Sequence, residues 1–67
     1  MKLYRYITGP DDSSFCKRVS KAISAGWNLH GSPTLTHNPQ TETMMCGQAV
    51  TKDVEGKYSD DITLSNY

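Results

Sequence analysis

The sequence predicts an α+β domain in which one helix packs on one face of a three-stranded antiparallel sheet. Three observations support this fold class. An amphipathic helical pattern covers about residues 12–25, an aromatic and β-branched segment precedes it, and two further strand-like segments follow it. The order is therefore β-α-β-β. All neighbouring strands are antiparallel if the third strand lies between the other two.

The first strand is predicted over residues 3–8, which are rich in aromatic and β-branched side chains. Pro10, with the glycine before it, should end this strand, because proline fixes φ and has no N–H to donate. Alternation along the strand places Arg5 on one face and Tyr4 and Tyr6 on the other. Neither face is plainly polar.

The central helix begins among acidic residues and ends at a glycine. Asp12 can cap the first turn, because a carboxylate there accepts hydrogen bonds from free N–H groups and complements the helix dipole. Gly26 occupies the position of a left-handed C-terminal cap. Four apolar side chains recur at the spacing of one buried helical face. They are Phe15, Val19, Ala22 and Ile23.

Two strands joined by a hairpin are predicted after the helix. The second strand covers residues 27–36 and the third covers residues 43–52, with a turn at residues 37–40. Pro33 cannot donate to a ladder, so the second strand is either an edge strand or a strand with a bulge. The sheet face away from the helix is left open, and an exposed face of this kind favours oligomerisation, most often as a two-fold dimer.

A chain of 67 residues forms one domain at most and buries a small core, so a disulfide, a metal or an oligomer commonly adds stability. We assign residues 1–52 to the domain and residues 53–67 to an acidic tail. The domain holds six basic and three acidic side chains, whereas the tail holds one basic and four acidic. Proteins that bind duplex nucleic acid usually carry a strong basic stripe, so this weak excess of basic side chains argues against that function.

The tail shows no sustained period, and two interpretations stay open. It is either a frayed terminus or a segment that wraps its own core or a neighbour. The second interpretation rests on five apolar or aromatic residues with the spacing of anchors. They are Val54, Tyr58, Ile62, Leu64 and Tyr67.

The two cysteines also have two interpretations. Cys16 and Cys46 can form one disulfide, but no secretory signal precedes them, so two small buried thiols in a reducing compartment are favoured. No apolar run approaches the roughly 20 residues that a membrane span needs. His30 and His37 match no zinc pattern with these cysteines. We therefore expect a soluble cytoplasmic protein without a metal or a cofactor.

Short motifs along nearly the whole chain follow the pattern of a known family. They are Tyr4-Arg5-Tyr6, Thr8-Gly9-Pro10-Asp11-Asp12, Phe15-Cys16, Arg18-Val19, Gly26-Trp27, Gly31-Ser32-Pro33 and Cys46-Gly47-Gln48-Ala49-Val50 with Lys52. In this pattern the chain resembles the small bacterial and phage family catalogued as domain of unknown function 1737. The resemblance implies no activity. By analogy with other small oligomeric phage proteins, it favours a counter-defence sponge that sequesters a cyclic or ADP-ribose-type nucleotide signal of bacterial immunity in the host cytoplasm.

A ligand of this kind needs cations for its phosphates and aromatic rings for its bases. Arginine makes bidentate contacts to phosphate, and aromatic side chains stack on bases. A glycine-serine turn offers backbone N–H groups and a hydroxyl to an anion, although a bulge in an edge strand explains the same residues. The candidate ligand-binding residues are Tyr4, Arg5, Tyr6, Arg18, Trp27, His30, Gly31, Ser32 and Lys52.

Catalysis is not expected. A cysteine paired with His30 would also need an orienting group and an oxyanion site, for which a domain of this size has little room. The sequence therefore predicts a non-enzymatic, oligomeric binding protein whose partners are itself and a small anionic nucleotide. The alternative is a protein-interaction module that docks a larger partner through the open sheet face or the tail.

Overall fold

The computed structural model describes residues 1–67, with the side chain of Ser65 excepted. The predicted α+β class and the order β-α-β-β are confirmed. A short 3₁₀ helix follows the last strand. The elements are β1 (Lys2–Pro10), α1 (Ser13–Ser24), β2 (Asn28–Asn38), β3 (Thr43–Asp53) and the 3₁₀ helix (Leu64–Asn66).

β3 is the central strand of the sheet, whose order is β1-β3-β2. β1 and β2 both pair with β3 in the antiparallel direction, as expected for a central third strand. Val50 lies opposite Arg5 of β1 and Leu29 of β2, so these three residues share one face of the sheet. Ala49 lies opposite Tyr6 and His30 on the other face.

β1 continues through the proline that was expected to end it. Pro10 pairs with Met45, so the predicted break before this residue is wrong. β1 is an edge strand, and proline is tolerated there because its missing N–H removes no necessary ladder bond. The chain turns immediately afterwards, where the Asp12 N–H donates to the Pro10 carbonyl at 2.8 Å.

Both predicted caps of α1 are confirmed. The Asp12 carboxylate accepts a hydrogen bond from the Ser14 N–H at 2.8 Å. At the other end Gly26 adopts φ +99°, and the N–H of Trp27 donates to the carbonyl of Ala22 at 3.0 Å. Among the residues that the structure describes, no helix is long and apolar enough to cross a bilayer.

The core lies between α1 and the part of the sheet that β1 and β3 form. Trp27 and Val50 are its largest fully buried side chains. Phe15 and Val19 of the helix are half-buried against it. The buried members of the core are Leu3, Ile7, Ala22, Trp27 and Val50.

β2 contributes no side chain to this core. Its residues are exposed from one end to the other, apart from the half-buried Asn38. Ile23 of α1 is also 47% exposed, so its predicted place in the buried helical face is wrong. The physical reason is that α1 packs mainly on β1, so the side of the helix that carries Ile23 stays largely uncovered.

The tail packs on the core, which decides between the two interpretations of this segment. The Val54 N–H donates to the Met1 carbonyl at 2.8 Å and continues the pairing of β1 with β3. Ile62, Leu64 and Tyr67 are half-buried against the core cluster. Tyr58 is 68% exposed and is therefore not one of the anchors.

Candidate functional site

A cationic cleft lies between α1 and β1. Its volume is about 300 Å³. The lining residues, all of them within the described chain, include three cations and no carboxylate side chain. They are Arg5, Arg18, Lys21, Ala22, Ala25, Trp27 and Tyr67.

Arg5 reaches the cleft because alternation along β1 turns it toward the helix. Its guanidinium carbon lies 5.4 Å from the centroid of the Trp27 ring. A cation over an indole face gains about 0.5–2 kcal/mol, depending on how far it is desolvated. The ring therefore holds the Arg5 charge at a defined place in the wall of the cleft.

Arg18 and Lys21 reach the cleft from α1, where they lie three residues apart on one side of the helix. The Arg18 Nη1 donates a hydrogen bond to the Thr8 carbonyl of β1 at 2.5 Å. This bond uses one of the five N–H donors of the guanidinium and leaves the others for a ligand. Lys21 is exposed in the last turn of the helix, where a positive charge complements the helix dipole.

Trp27 forms the floor of the cleft and is only 2% exposed. Its indole Nε1 donates to the main-chain oxygen of Tyr67 at 3.2 Å, which brings the end of the tail into the wall. The buried ring cannot offer a free face for base stacking. Trp27 thus belongs to the site as the support of Arg5 and not as a stacking platform.

The nine residues predicted from the sequence do not form one site. Arg5, Arg18 and Trp27 meet in the cleft. Lys52 lies on the same side of the sheet, but its Nζ donates to the Ala25 carbonyl at 2.7 Å and caps the end of α1. Sequence reasoning missed Tyr67 as a wall residue, because only the long-range packing of the tail brings it there.

Tyr4, Tyr6 and His30 lie on the opposite face of the sheet, away from the cleft. The Tyr6 hydroxyl is 2.6 Å from the Thr34 hydroxyl, so this side chain extends from β1 across β3 to β2. A shallow, uncharged pocket of about 340 Å³ includes both residues. Because it contains no cation, this pocket does not match the chemistry of an anionic ligand.

Gly31 and Ser32 lie in a bulge of β2. The pairing with β3 shifts between His30 and Thr34, and Gly31 adopts φ +70° there. The Gln48 Nε2 donates to the carbonyls of His30 and Gly31 at 3.3 and 3.4 Å. These bonds give the bulge a structural role that needs no ligand. Sequence reasoning did not identify Gln48 as the partner of the bulge.

Both cysteines are free thiols, but Cys16 is exposed and Cys46 is only half-buried, so the expectation of two buried thiols is wrong. Burial, and after it the neighbouring carboxylate of Asp11, raise the pKa of the Cys46 thiol. A nucleophilic cysteine needs the opposite shift, because the thiolate is the reactive form. Within the described part of the chain, no three His, Cys, Asp or Glu side chains gather as metal ligands.

The comparison with family models agrees with the resemblance noted in the motifs. The model described as Domain of unknown function (DUF1737) matches residues 1–53. The chain belongs to this family. The match covers all three strands and α1, and it ends where the tail begins. The search of curated proteins and the search of solved structures returned no match.

Proposed function

We propose that this family member binds a small anionic ligand of the nucleotide class in the cationic cleft and holds it without chemical change. The observation that supports this proposal is the gathering of Arg5, Arg18 and Lys21 around one cleft with no carboxylate side chain in its lining. A volume of about 300 Å³ lies at the lower end of the range for small-molecule sites, which suits one phosphate-bearing moiety.

Two of the three cations are held in place before a ligand arrives. Arg5 rests on the Trp27 ring, and Arg18 is tied to the Thr8 carbonyl. Side chains that are already ordered lose less conformational freedom on binding, so more of the interaction energy remains as affinity. Charge-assisted bonds from guanidinium groups to phosphate are the strongest contacts that such a cleft offers.

A protein that binds a nucleotide and does not convert it acts by removing that nucleotide from solution, so we assign sequestration as the role. The resemblance to a phage-linked family favours a nucleotide signal of bacterial immunity as the ligand that is removed. The prediction is stoichiometric capture, with the bound nucleotide recovered intact.

A thermal-shift and native mass spectrometry screen tests this function. The panel contains cyclic dinucleotides, cyclic trinucleotides and ADP-ribose derivatives, and chromatography of the released ligand checks that it is unchanged. Arg18→Gln should weaken binding of the selected ligand about 10- to 100-fold, since it removes a charge-assisted contact. Lys17→Gln removes the same charge from the exposed side of α1 and should leave affinity within about twofold.

Two results would overturn the proposal. One is the failure of every nucleotide in the panel to stabilise the protein. The other is an equal loss of affinity in Arg18→Gln and Lys17→Gln, which would mean that overall charge and not the cleft attracts the ligand.

The alternative function, docking of a larger protein, has one observation in its favour. Tyr4 and Tyr6 are 56% and 47% exposed on the open sheet face, and tyrosine is enriched at protein interfaces. Affinity capture with the wild type and with Tyr4→Ser tests this role. A partner retained by the wild type and lost by the variant would support it, whereas capture of only the chain itself would count against it.

A further inference from the structure

Four large apolar side chains of α1, β2 and β3 are exposed. Ile23, Leu29, Leu35 and Met44 are 47%, 56%, 59% and 36% exposed. We call this surface the β2 flank. Contiguous apolar patches on a small soluble domain usually mark an interaction surface, whereas single exposed apolar residues are ordinary.

The strand register places the β2 flank on the same side of the sheet as the helix. Leu29 lies opposite Val50, a core residue, and Leu35 lies opposite Cys46 on the same side of β3. At about 100° per residue, Ile23 lies on the flank of α1 away from Arg18. The helix therefore divides this side of the sheet into the cationic cleft over β1 and the apolar β2 flank.

The total surface is larger than expected for a compact monomer. The accessible area is 4937 Å², whereas a folded monomer of 7.5 kDa exposes about 4,200 Å². The excess of about 700 Å² is summed over the whole chain, including the exposed residues 55–61, and is comparable to the ~800 Å² that one partner buries in a standard interface. The radius of gyration is 13.4 Å, against about 11 Å for a compact chain of this length.

The composition of β2 indicates what covers the flank. Residues 28–38 contain no Lys, Arg, Asp or Glu, although edge strands are commonly protected by charges. An uncharged patch can meet its own copy across a two-fold axis without like-charge repulsion. Pro33 and the bulge prevent continuous strand pairing at this edge, so the contact uses side chains on the helix side of the sheet.

We infer that a second copy of this chain covers the β2 flank in a two-fold dimer. This location differs from the open sheet face that the sequence suggested. The cationic cleft lies on the other flank of α1, so it stays accessible in the dimer and each protomer keeps its own cleft. The inference does not depend on ligand binding and stands or falls independently of the proposed function.

Sedimentation velocity at about 100 μM protein tests the dimer. The wild type should have twice the mass of one chain, and the double variant Leu29→Lys/Leu35→Lys should raise the dimer Kd at least 100-fold and yield a monomer. Tyr4→Lys is the matched control, because Tyr4 has the same 56% exposure as Leu29 but lies on the opposite face. This control should remain dimeric.

A wild type that is monomeric at this concentration would overturn the inference, as would dissociation by Tyr4→Lys with no effect of the double variant. Circular dichroism confirms that each variant is folded. If the double variant is unfolded, the wild type alone still provides the test. Its Tm should rise with protein concentration when folding and dimerisation are linked, and a constant Tm would contradict the dimer.

Discussion

The two edge strands of the sheet differ in how far their side chains are buried. β1 alternates between buried and exposed residues, and its Leu3 and Ile7 are each 2% exposed under α1. β2 is longer but buries no side chain. The free energy of folding within one protomer therefore comes mainly from α1, β1 and β3, while β2 is held by backbone pairing with β3.

Two side chains connect β2 to the rest of the sheet beyond this backbone pairing. The Tyr6 hydroxyl reaches Thr34 on the open face, and the Gln48 amide reaches the carbonyls of the bulge. Each is a polar contact worth about 1 kcal/mol and not an apolar core. An exposed strand with so few anchors gains most from a covering partner, which is the physical basis of the inferred dimer.

The largest contrast should appear between core and β2 substitutions. Trp27→Ala removes a fully buried ring, with an expected cost of about 3–5 kcal/mol, a large part of the stability of a small domain. Leu35→Ala, whose side chain is 59% exposed, should cost under about 1 kcal/mol in the monomer. Urea denaturation followed by circular dichroism at low micromolar protein measures both. Similar costs would show that β2 belongs to the monomer core.

A smaller effect is expected at Gly47, beneath the Tyr6 ring. A Cβ at this position would lie 2.3 Å from the Tyr6 hydroxyl oxygen and 2.7 Å from the Thr34 hydroxyl oxygen. Gly47→Ala should displace the ring and break the contact between β1 and β2, at a cost of about 1–3 kcal/mol. Gly9→Ala is the control, because its Cβ would make only ordinary contacts of 3.5 Å or more.

A double-mutant cycle shows whether this cost is steric. In a Tyr6→Ala background, Gly47→Ala should lose most of its effect, because the ring that blocks the Cβ is gone. Full additivity of the two substitutions would mean that Tyr6 does not connect the edge strands. β2 would then have still fewer side-chain contacts with the rest of the sheet than β1 has.

The sequence predicted the elements well because each has a local signal. Asp12 and Gly26 begin and end the helix through short-range hydrogen bonds, and alternation identifies the strands. The errors concern long-range geometry. The exposure of Ile23 depends on which strands lie under α1. The pairing of Pro10 depends on the position of β1 at the edge of the sheet. Local periodicity encodes neither feature.

The candidate site was predictable only in part, for the same reason. Arg5 and Arg18 were identified by their chemistry, and the structure brings them together through packing of α1 on β1. Alternation already places Arg5 on the face opposite to Tyr4 and Tyr6, so these three side chains cannot line one site within a single protomer. The contribution of Tyr67 depends on a hydrogen bond between residues forty positions apart, which no short motif signals.

The smallest expected effect is at the start of α1, within the half of the molecule that holds the core. Hydrogen bonds from the Ser14 hydroxyl and N–H to the Asp12 carboxylate lower its pKa below the ordinary value of 3.8. A lowered pKa in the folded state stabilises the protein at pH values above the pKa of the unfolded state, and this contribution is lost as the pH falls through the folded pKa.

Asp12→Ala should therefore be less stable than the wild type at neutral pH, and the difference in stability should shrink below about pH 4. Asp60→Ala, which removes a carboxylate from the exposed part of the tail, is the control variant. Thermal denaturation between pH 2 and 7 measures the difference, and a gap that stays constant across this range would mean that the carboxylate charge contributes nothing to the cap. Amide hydrogen exchange locates the effect: faster exchange in α1 with β2 unchanged would show that the helix start and the exposed strand open independently.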